Sequence, residues 1–322
     1  MSIFKQLEQF VRNTFKTTVE IFLQALKLSP NAQGYVSGSI TELLLKQHIE
    51  ERGFEVERIR EKWEGPKHPN HRGDFYFAKK DVGIWFVLES KGIKSNSEKW
   101  HKLFNRKNLI QFLYDYHNVI HWIDQNKDVE NQIIKWLDKH LPLFQDKYST
   151  TLYEYEEVQK YLQNRPKKET DKSRAIDALT NCSREEIGAM ISERLDYVRS
   201  KLGVLETHFV SGTSGRSGRT QATPRKDEFN VISVDIFLRY SEHRFLFANP
   251  QLLDSSGDDP AHLKQNYIMG FVFTNEDGSC QIHLSEEWFD DFEDVVATLA
   301  SSSAINPADK QIDFRNVIYG DD

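Results

Sequence analysis

The sequence predicts an α/β protein, with three strands between helices in the first half and a second set of helices and strands after them. Three observations predict this class. Apolar residues near the N-terminus recur at three- and four-residue intervals, which is typical of amphipathic helices. Short apolar segments bounded by Gly- and Pro-containing turns follow, as in strands. Both patterns return after a polar segment near the middle of the chain.

Length and composition allow one large core or two ordinary domains. The chain has 322 residues, of which 39% are hydrophobic and 28% are charged. Residues 163–173, QNRPKKETDKS, are polar and contain a proline, which favours a linker. We therefore expect an N-terminal domain at 1–165 and a C-terminal α/β domain at 166–322.

The first elements are helical. Residues 3–28 predict one amphipathic helix or two short ones, ended by Pro30 and Gly34. A further helix follows, with Ser37 or Ser39 able to cap its start.

Three strands come next. Residues 54–63 alternate apolar and polar positions, as in a half-buried strand. The segment DFYFAKK is a second strand, and GIWFVLESK is a third. The uniformly apolar centre of the third strand, residues 84–88, indicates a strand covered on both faces. Helices are predicted at about 98–122 and 129–141.

The second half repeats the two patterns. A helix begins at Ser183, which has capping-box spacing with Glu186. A last helix is expected near Ser285. Strands are predicted at about 204–210, 229–240, 244–248, 267–273 and 280–284.

Three charged residues are expected to meet on the second and third strands. Asp74 opens the second strand, and Glu89 and Lys91 lie near the end of the third. Residues two apart share a face of a strand, and a short turn makes the strands an antiparallel pair. Two carboxylates held close repel each other unless a hard cation such as Mg²⁺ binds between them. A metal ion and a lysine together form a workable apparatus for phosphodiester hydrolysis.

The segment GDFYFAKKDVGIWFVLESKG resembles the signature of the PD-(D/E)XK nuclease superfamily. The resemblance implies a restriction-endonuclease-like αβββα core with a mixed central sheet. It implies that Asp74 and Glu89 bind Mg²⁺, for which Mn²⁺ can substitute, and that Lys91 activates water. Gly73 stands where the family has proline. Glu42 matches a further acid on the preceding helix, and its alternative is a solvated helix acid.

Basic residues are concentrated in two segments although the net charge is −7. Residues 94–107 hold five basic residues and one acid, and residues 211–226 hold four basic residues and no acid. Local charge decides where a phosphate backbone can lie. The DNA contacts that we predict are Arg72, Lys94, Lys99, Arg216, Arg219, Arg225 and Lys226.

These features predict a Mg²⁺-dependent DNA endonuclease. The chain is similar in size and organisation to type II restriction endonucleases, which implies a homodimer acting on double-stranded DNA. The alternatives are a structure-specific or DNA-repair nuclease, and a catalytically silent DNA-binding protein.

Several other classes are not expected from the sequence. It contains no Gly-x-Ser-x-Gly elbow and no Walker loop, so neither a serine hydrolase nor ATP use is predicted. No apolar run reaches membrane length, and the first residues do not resemble a signal peptide. A cytoplasmic protein without a membrane partner is therefore expected.

Overall fold

The protein is of mixed α/β class, as the sequence predicts. Its internal contacts divide the chain into two units. Unit 1 comprises Met1–Gly92 and Ala300–Asp322, and unit 2 comprises Ile93–Leu299. This division does not coincide with a boundary at 165/166. The computed structural model describes residues 2–60, 71–93, 103–166, 168–209, 223–240, 242–257 and 259–313.

Unit 1 begins with three consecutive helices, α1 (Ile3–Phe15), α2 (Val19–Leu28) and α3 (Pro30–Glu50). The segment 3–28 therefore forms two short helices, one of the two predicted forms. The second of them is capped by Thr18, whose side chain accepts a hydrogen bond from the N–H of Ile21.

Helix α3 begins earlier than the sequence indicates. The Ser29 side chain accepts a hydrogen bond of 3.3 Å from the N–H of Ala32, and Pro30 follows this cap directly. Proline is favourable at the first helical position because its fixed φ suits the helix and its missing N–H would have no partner there. The expected start near Ser37 or Ser39 is therefore wrong.

Three antiparallel strands follow α3 in unit 1. They are β1 (Phe54–Arg58), β2 (Phe75–Lys79) and β3 (Trp85–Gly92), with β2 pairing with both neighbours. Positive φ angles at Asp81 and Gly83 make the tight turn between β2 and β3. The core of this unit is formed where α3 packs on the strands; Leu45, Ile49, Tyr76, Phe77, Val87 and Leu88 are completely buried.

The chain returns to unit 1 near its C-terminus. We call residues 305–313 the C-terminal strap. The N–H of Ile305 donates to the carbonyl of Trp85 at 2.8 Å, and the N–H of Asp313 donates to that of Arg58 at 2.8 Å. The strap therefore runs from the start of β3 to the end of β1.

Unit 2 combines helices with two groups of strands. Its elements are α4 (Arg106–Asp115), α5 (Val129–His140), α6 (Tyr155–Gln163), α7 (Asp171–Asp177), α8 (Arg184–Arg199), β4 (Leu202–Glu206), β5 (Val231–Asp235), α9 (Phe237–Tyr240), β6 (Phe245–Ala248), β7 (Ile268–Thr274), β8 (Cys280–Leu284) and α10 (Phe292–Ala297). Strands β4, β7 and β8 form an antiparallel sheet in the order β4–β7–β8, and β5 pairs with β6. A buried hydrophobic cluster packs helices against β4 and β7.

Predictions for unit 2 are confirmed where local signals are strong. Helix α5 and the Ser183–Glu186 capping box of α8 are both present. The predicted strand 229–240 is too long, because Asp235 ends β5 and its carboxylate accepts a hydrogen bond from the N–H of Phe237 at the start of α9. The last helix begins at Phe292 rather than near Ser285. Residues 163–173 join α6 to α7 within unit 2.

Candidate active site

Strand pairing brings Asp74 to the end of β3 that carries Glu89. Phe75 lies opposite Leu88 in the β2–β3 register, and the N–H of Asp74 also donates to the carbonyl of Leu88, at 2.9 Å. The charges of both Asp74 and Glu89 reach the Lys91 ammonium, so the two carboxylates belong to one site.

The Asp74 side chain is held by the backbone of β3. Its Oδ2 accepts a hydrogen bond of 2.7 Å from the N–H of Ser90. The preceding residue, Gly73, lies so close to β3 that a Cβ built on it would be 2.6 Å from Cγ1 of Val87 and 2.8 Å from the carbonyl oxygen of Leu88. Position 73 therefore requires glycine, because any side chain there would collide with β3.

Glu89 and Lys91 form an ion pair two residues apart on β3. Their side chains are 15% and 27% exposed, so solvent screens the pair only in part. Burial lowers the pKa of the Lys91 ammonium, but the charge and hydrogen bond of Glu89 and the charges of Asp74 and Glu42 together raise it above the usual value. Lys91 is therefore a cation at neutral pH, held among three carboxylates.

Glu42 is engaged by a residue that the sequence did not single out. The carboxylate of Glu42, on α3, lies 2.7 Å from the guanidinium of Arg58, on β1, and both side chains are 22% exposed. The charge of Glu42 reaches Lys91. Glu42 can assist a metal site only in competition with this arginine.

The donor set suits a hard cation with few protein ligands. Among the described residues, no group of three or more His, Cys, Asp and Glu side chains is arranged to hold a metal ion. Asp74 and Glu89 supply two carboxylates. Mg²⁺ is commonly bound by one or two carboxylates, with water and substrate phosphate completing its coordination, so these two residues fit it.

The loop before Asp74 is tied to the C-terminal strap. Nε2 of His71 lies 3.0 Å from the hydroxyl of Tyr76, and that hydroxyl accepts the N–H of Gln311 at 3.1 Å. Burial lowers the pKa of His71, against the charge of Asp309, which raises it. Sequence patterns cannot show these contacts, because about 235 residues separate the strap from β2.

The Lys310 ammonium makes two further contacts in the strap. It lies 3.2 Å from the centroid of the Trp85 ring and 2.5 Å from the carboxylate of Glu57. These contacts join the strap to β3 and β1. Their strength derives from a cation placed between a π face and a carboxylate.

Three of the predicted DNA contacts lie on described residues. Arg72 is half-buried just before Gly73. Arg225 hydrogen-bonds Asp227 through two nitrogens at 2.9 and 3.1 Å, and the Lys226 ammonium donates to the carbonyl of Leu253. The other four, Lys94, Lys99, Arg216 and Arg219, lie outside the described residues.

Comparison with protein-family models, curated proteins and solved structures returned no match. Within the part of the chain that the structure describes, no helix is long and apolar enough to cross a membrane.

Proposed function

We propose that this chain is a Mg²⁺-dependent endonuclease that hydrolyses DNA phosphodiester bonds, in the manner of a type II restriction endonuclease. One observation carries the proposal: the Asp74 carboxylate accepts the N–H of Ser90, the residue between Glu89 and Lys91, and the Lys91 ammonium is held by the charges of both acids. A lysine whose pKa is perturbed by burial and by specific charge partners is a candidate functional group. The resemblance to PD-(D/E)XK nucleases and the basic segments support DNA as the substrate.

The proposed roles follow from the chemistry of each side chain. Asp74, oriented by the Ser90 N–H, and Glu89 hold the cation. Mg²⁺ bound there supplies Lewis-acid stabilisation of the charge on the scissile phosphate. Lys91, being charged, orients the attacking water through its N–H donors and stabilises negative charge that develops on the phosphate. Glu42 assists if its carboxylate leaves Arg58 and binds the cation instead.

Substitution of Lys91 tests these roles. We expect the wild-type protein to cut plasmid DNA in the presence of Mg²⁺. Lys91→Ala should cut about 10²–10³-fold more slowly, which is the usual effect of removing one electrostatic donor. Lys79→Ala, at the exposed end of β2, is the matched control and should cut normally. Chelation of the metal should abolish cleavage by every active variant.

The product pattern separates the remaining possibilities. Discrete fragments support a site-specific restriction enzyme. A smear, or cleavage restricted to branched or single-stranded DNA, identifies a repair or processing nuclease instead. A gel shift without cleavage in Mg²⁺ or Mn²⁺, from protein whose circular dichroism shows it folded, contradicts the enzymatic proposal.

A further inference from the structure

The N-terminal helices leave a large apolar surface exposed. In α1 only Val11 is buried, and α2 contributes no buried residue. Contacts among Phe10, Phe15 and Phe22 join the two helices, with ring centroids 5.9 and 5.1 Å apart. The residues more than half exposed include Ile3, Phe4, Ile21, Leu28, Tyr35 and Leu43.

The exposed apolar area of these helices approaches what a protein–protein interface needs. A fully exposed aromatic side chain presents roughly 150–250 Å², and the six residues, two of them aromatic, are between 52% and 84% exposed. They leave roughly several hundred Å² of apolar surface, a large part of the roughly 800 Å² that a standard interface takes from each partner. Exposed apolar surface of this extent is typical of interaction sites.

Helix α3 adds a second, independent observation. Its first turns, residues 33–40, are exposed on every side, yet they include Gly34 and Gly38. Glycine in a helix interior costs about 1 kcal/mol relative to alanine. A Cβ at either position would meet nothing within 4 Å, so no contact in the described chain requires glycine. Small residues four apart lie on one helix face and allow a second helix to approach closely.

The charges of this segment favour a second copy over a membrane or DNA. Residues 1–43 hold four basic and three acidic side chains. Helices that lie on membranes carry a basic polar face, and DNA-binding surfaces are basic as well. A two-fold interface instead sets a patch against itself, so mixed signs allow opposite charges to meet across the axis.

We propose that α1, α2 and the first half of α3 form a two-fold interface between copies of this chain, with α3 meeting its symmetry mate at Gly34 and Gly38. The interface belongs to unit 1, which also carries Asp74, Glu89 and Lys91. Self-association through it gives each dimer two such sites. The interface does not rest on nuclease activity and is measured without it.

The mass of the 322-residue chain in solution tests the interface. Sedimentation across the micromolar range should give twice the 37.7 kDa of one chain. Leu28→Glu combined with Tyr35→Glu should weaken the dimer about a hundredfold or more, as when charges replace interface anchors. Leu252→Glu, at a half-exposed leucine of unit 2, is the matched control and should remain dimeric.

A glycine variant distinguishes close helix–helix packing from non-specific association of exposed apolar side chains. Gly38→Ala should weaken the dimer about tenfold, although alanine favours the helix in a monomer. Gly188→Ala, inside α8 with equally open space, should leave the dimer unchanged. A monomer at every concentration overturns the proposal, as does a dimer insensitive to both sets of substitutions. Monomers that sediment with phosphatidylserine-containing vesicles through Leu28 and Tyr35 overturn it in favour of a membrane surface.

Discussion

At the scale of single residues, the charge state of Lys91 constrains the chemistry of the site. Its pKa is raised by Glu89, Asp74 and Glu42 against the effect of burial, so the side chain cannot accept a proton near neutral pH. In the proposed mechanism, a cation bound to Glu89 would compete with Lys91 for that carboxylate. Lys91, being charged, would then act on water and phosphate as an electrostatic group rather than as a base.

Replacement of Gly73 tests how closely the site depends on the backbone. Gly73→Ala would force Val87 and the Leu88 carbonyl to move, because both lie under 3 Å from the new methyl group. We expect a loss of about 1–3 kcal/mol in the free energy of unfolding, the usual cost of overpacking. Urea unfolding measures it. Gly188→Ala, which meets no neighbour, should be neutral or slightly stabilising. Equal stability of Gly73→Ala and the wild type would contradict the close approach.

At the scale of elements, β8 carries a buried histidine that links it to the segment after α4. Nδ1 of His283 accepts the N–H of His121 at 2.9 Å, and the two rings stack with centroids 4.4 Å apart. An acceptor nitrogen must be unprotonated. Burial, with a smaller contribution from the charge of His121, lowers the pKa of His283 to about 4.

This histidine should make the stability of the protein depend on pH. In the unfolded chain the pKa of this histidine is about 6.5. Between pH 6.5 and about 4 it is therefore mostly protonated in the unfolded state and mostly neutral in the folded state. The stabilisation is present above pH 6.5 and is lost as the pH falls toward 4, by on the order of 2–3 kcal/mol.

The variant His283→Asn separates this effect from other titrations. The amide oxygen of asparagine can accept the His121 N–H but does not protonate, so urea unfolding between pH 4 and 7 should show a flatter decline. His117→Asn, at a partly exposed histidine of the same unit, should follow the wild type. Parallel curves for His283→Asn and the wild type would exclude the proposed linkage.

At the scale of the whole molecule, the chain closes unit 1 with its own C-terminal strap. Backbone hydrogen bonds join the strap to Trp85, Arg58 and Arg60, and the Lys310 ammonium lies between Trp85 and Glu57. Unit 1 is therefore assembled from segments at the two ends of the sequence. Its stability depends on residues translated long after its strands.

Truncation measures the contribution of the strap. A chain that stops after Ala304 loses the three backbone hydrogen bonds and the Lys310 contacts, and we expect unit 1 to unfold about 2–4 kcal/mol more easily. A chain that stops after Asp313 retains them all and is the control. Urea unfolding followed by tryptophan fluorescence compares the two, since Trp85 lies beneath Lys310. Identical unfolding curves would show that the strap does not stabilise the unit.

Features that depend on nearby residues can be predicted from the amino-acid sequence alone. A short turn joins β2 to β3 and brings the Asp74 carboxylate to the N–H of Ser90, and strand periodicity puts Glu89 and Lys91 on one face. The capping box of α8 is also local, because its two partners lie three residues apart. The α/β class follows from the same periodic patterns. In each case the interaction is formed by residues whose spacing can be read directly along the chain.

Contacts between residues far apart in the sequence become visible only in the folded protein. The pairing of Glu42 with Arg58, and the return of the strap to β1 and β3, depend on how separate elements pack. The start of α3 is a different case, because the cap that Ser29 forms with Ala32 is local and outweighs the weak helix preference of Gly34. Hydrophobic periodicity shows which face of a helix or strand is buried, but it does not show which other element covers that face. The covering element is set by how the elements pack together.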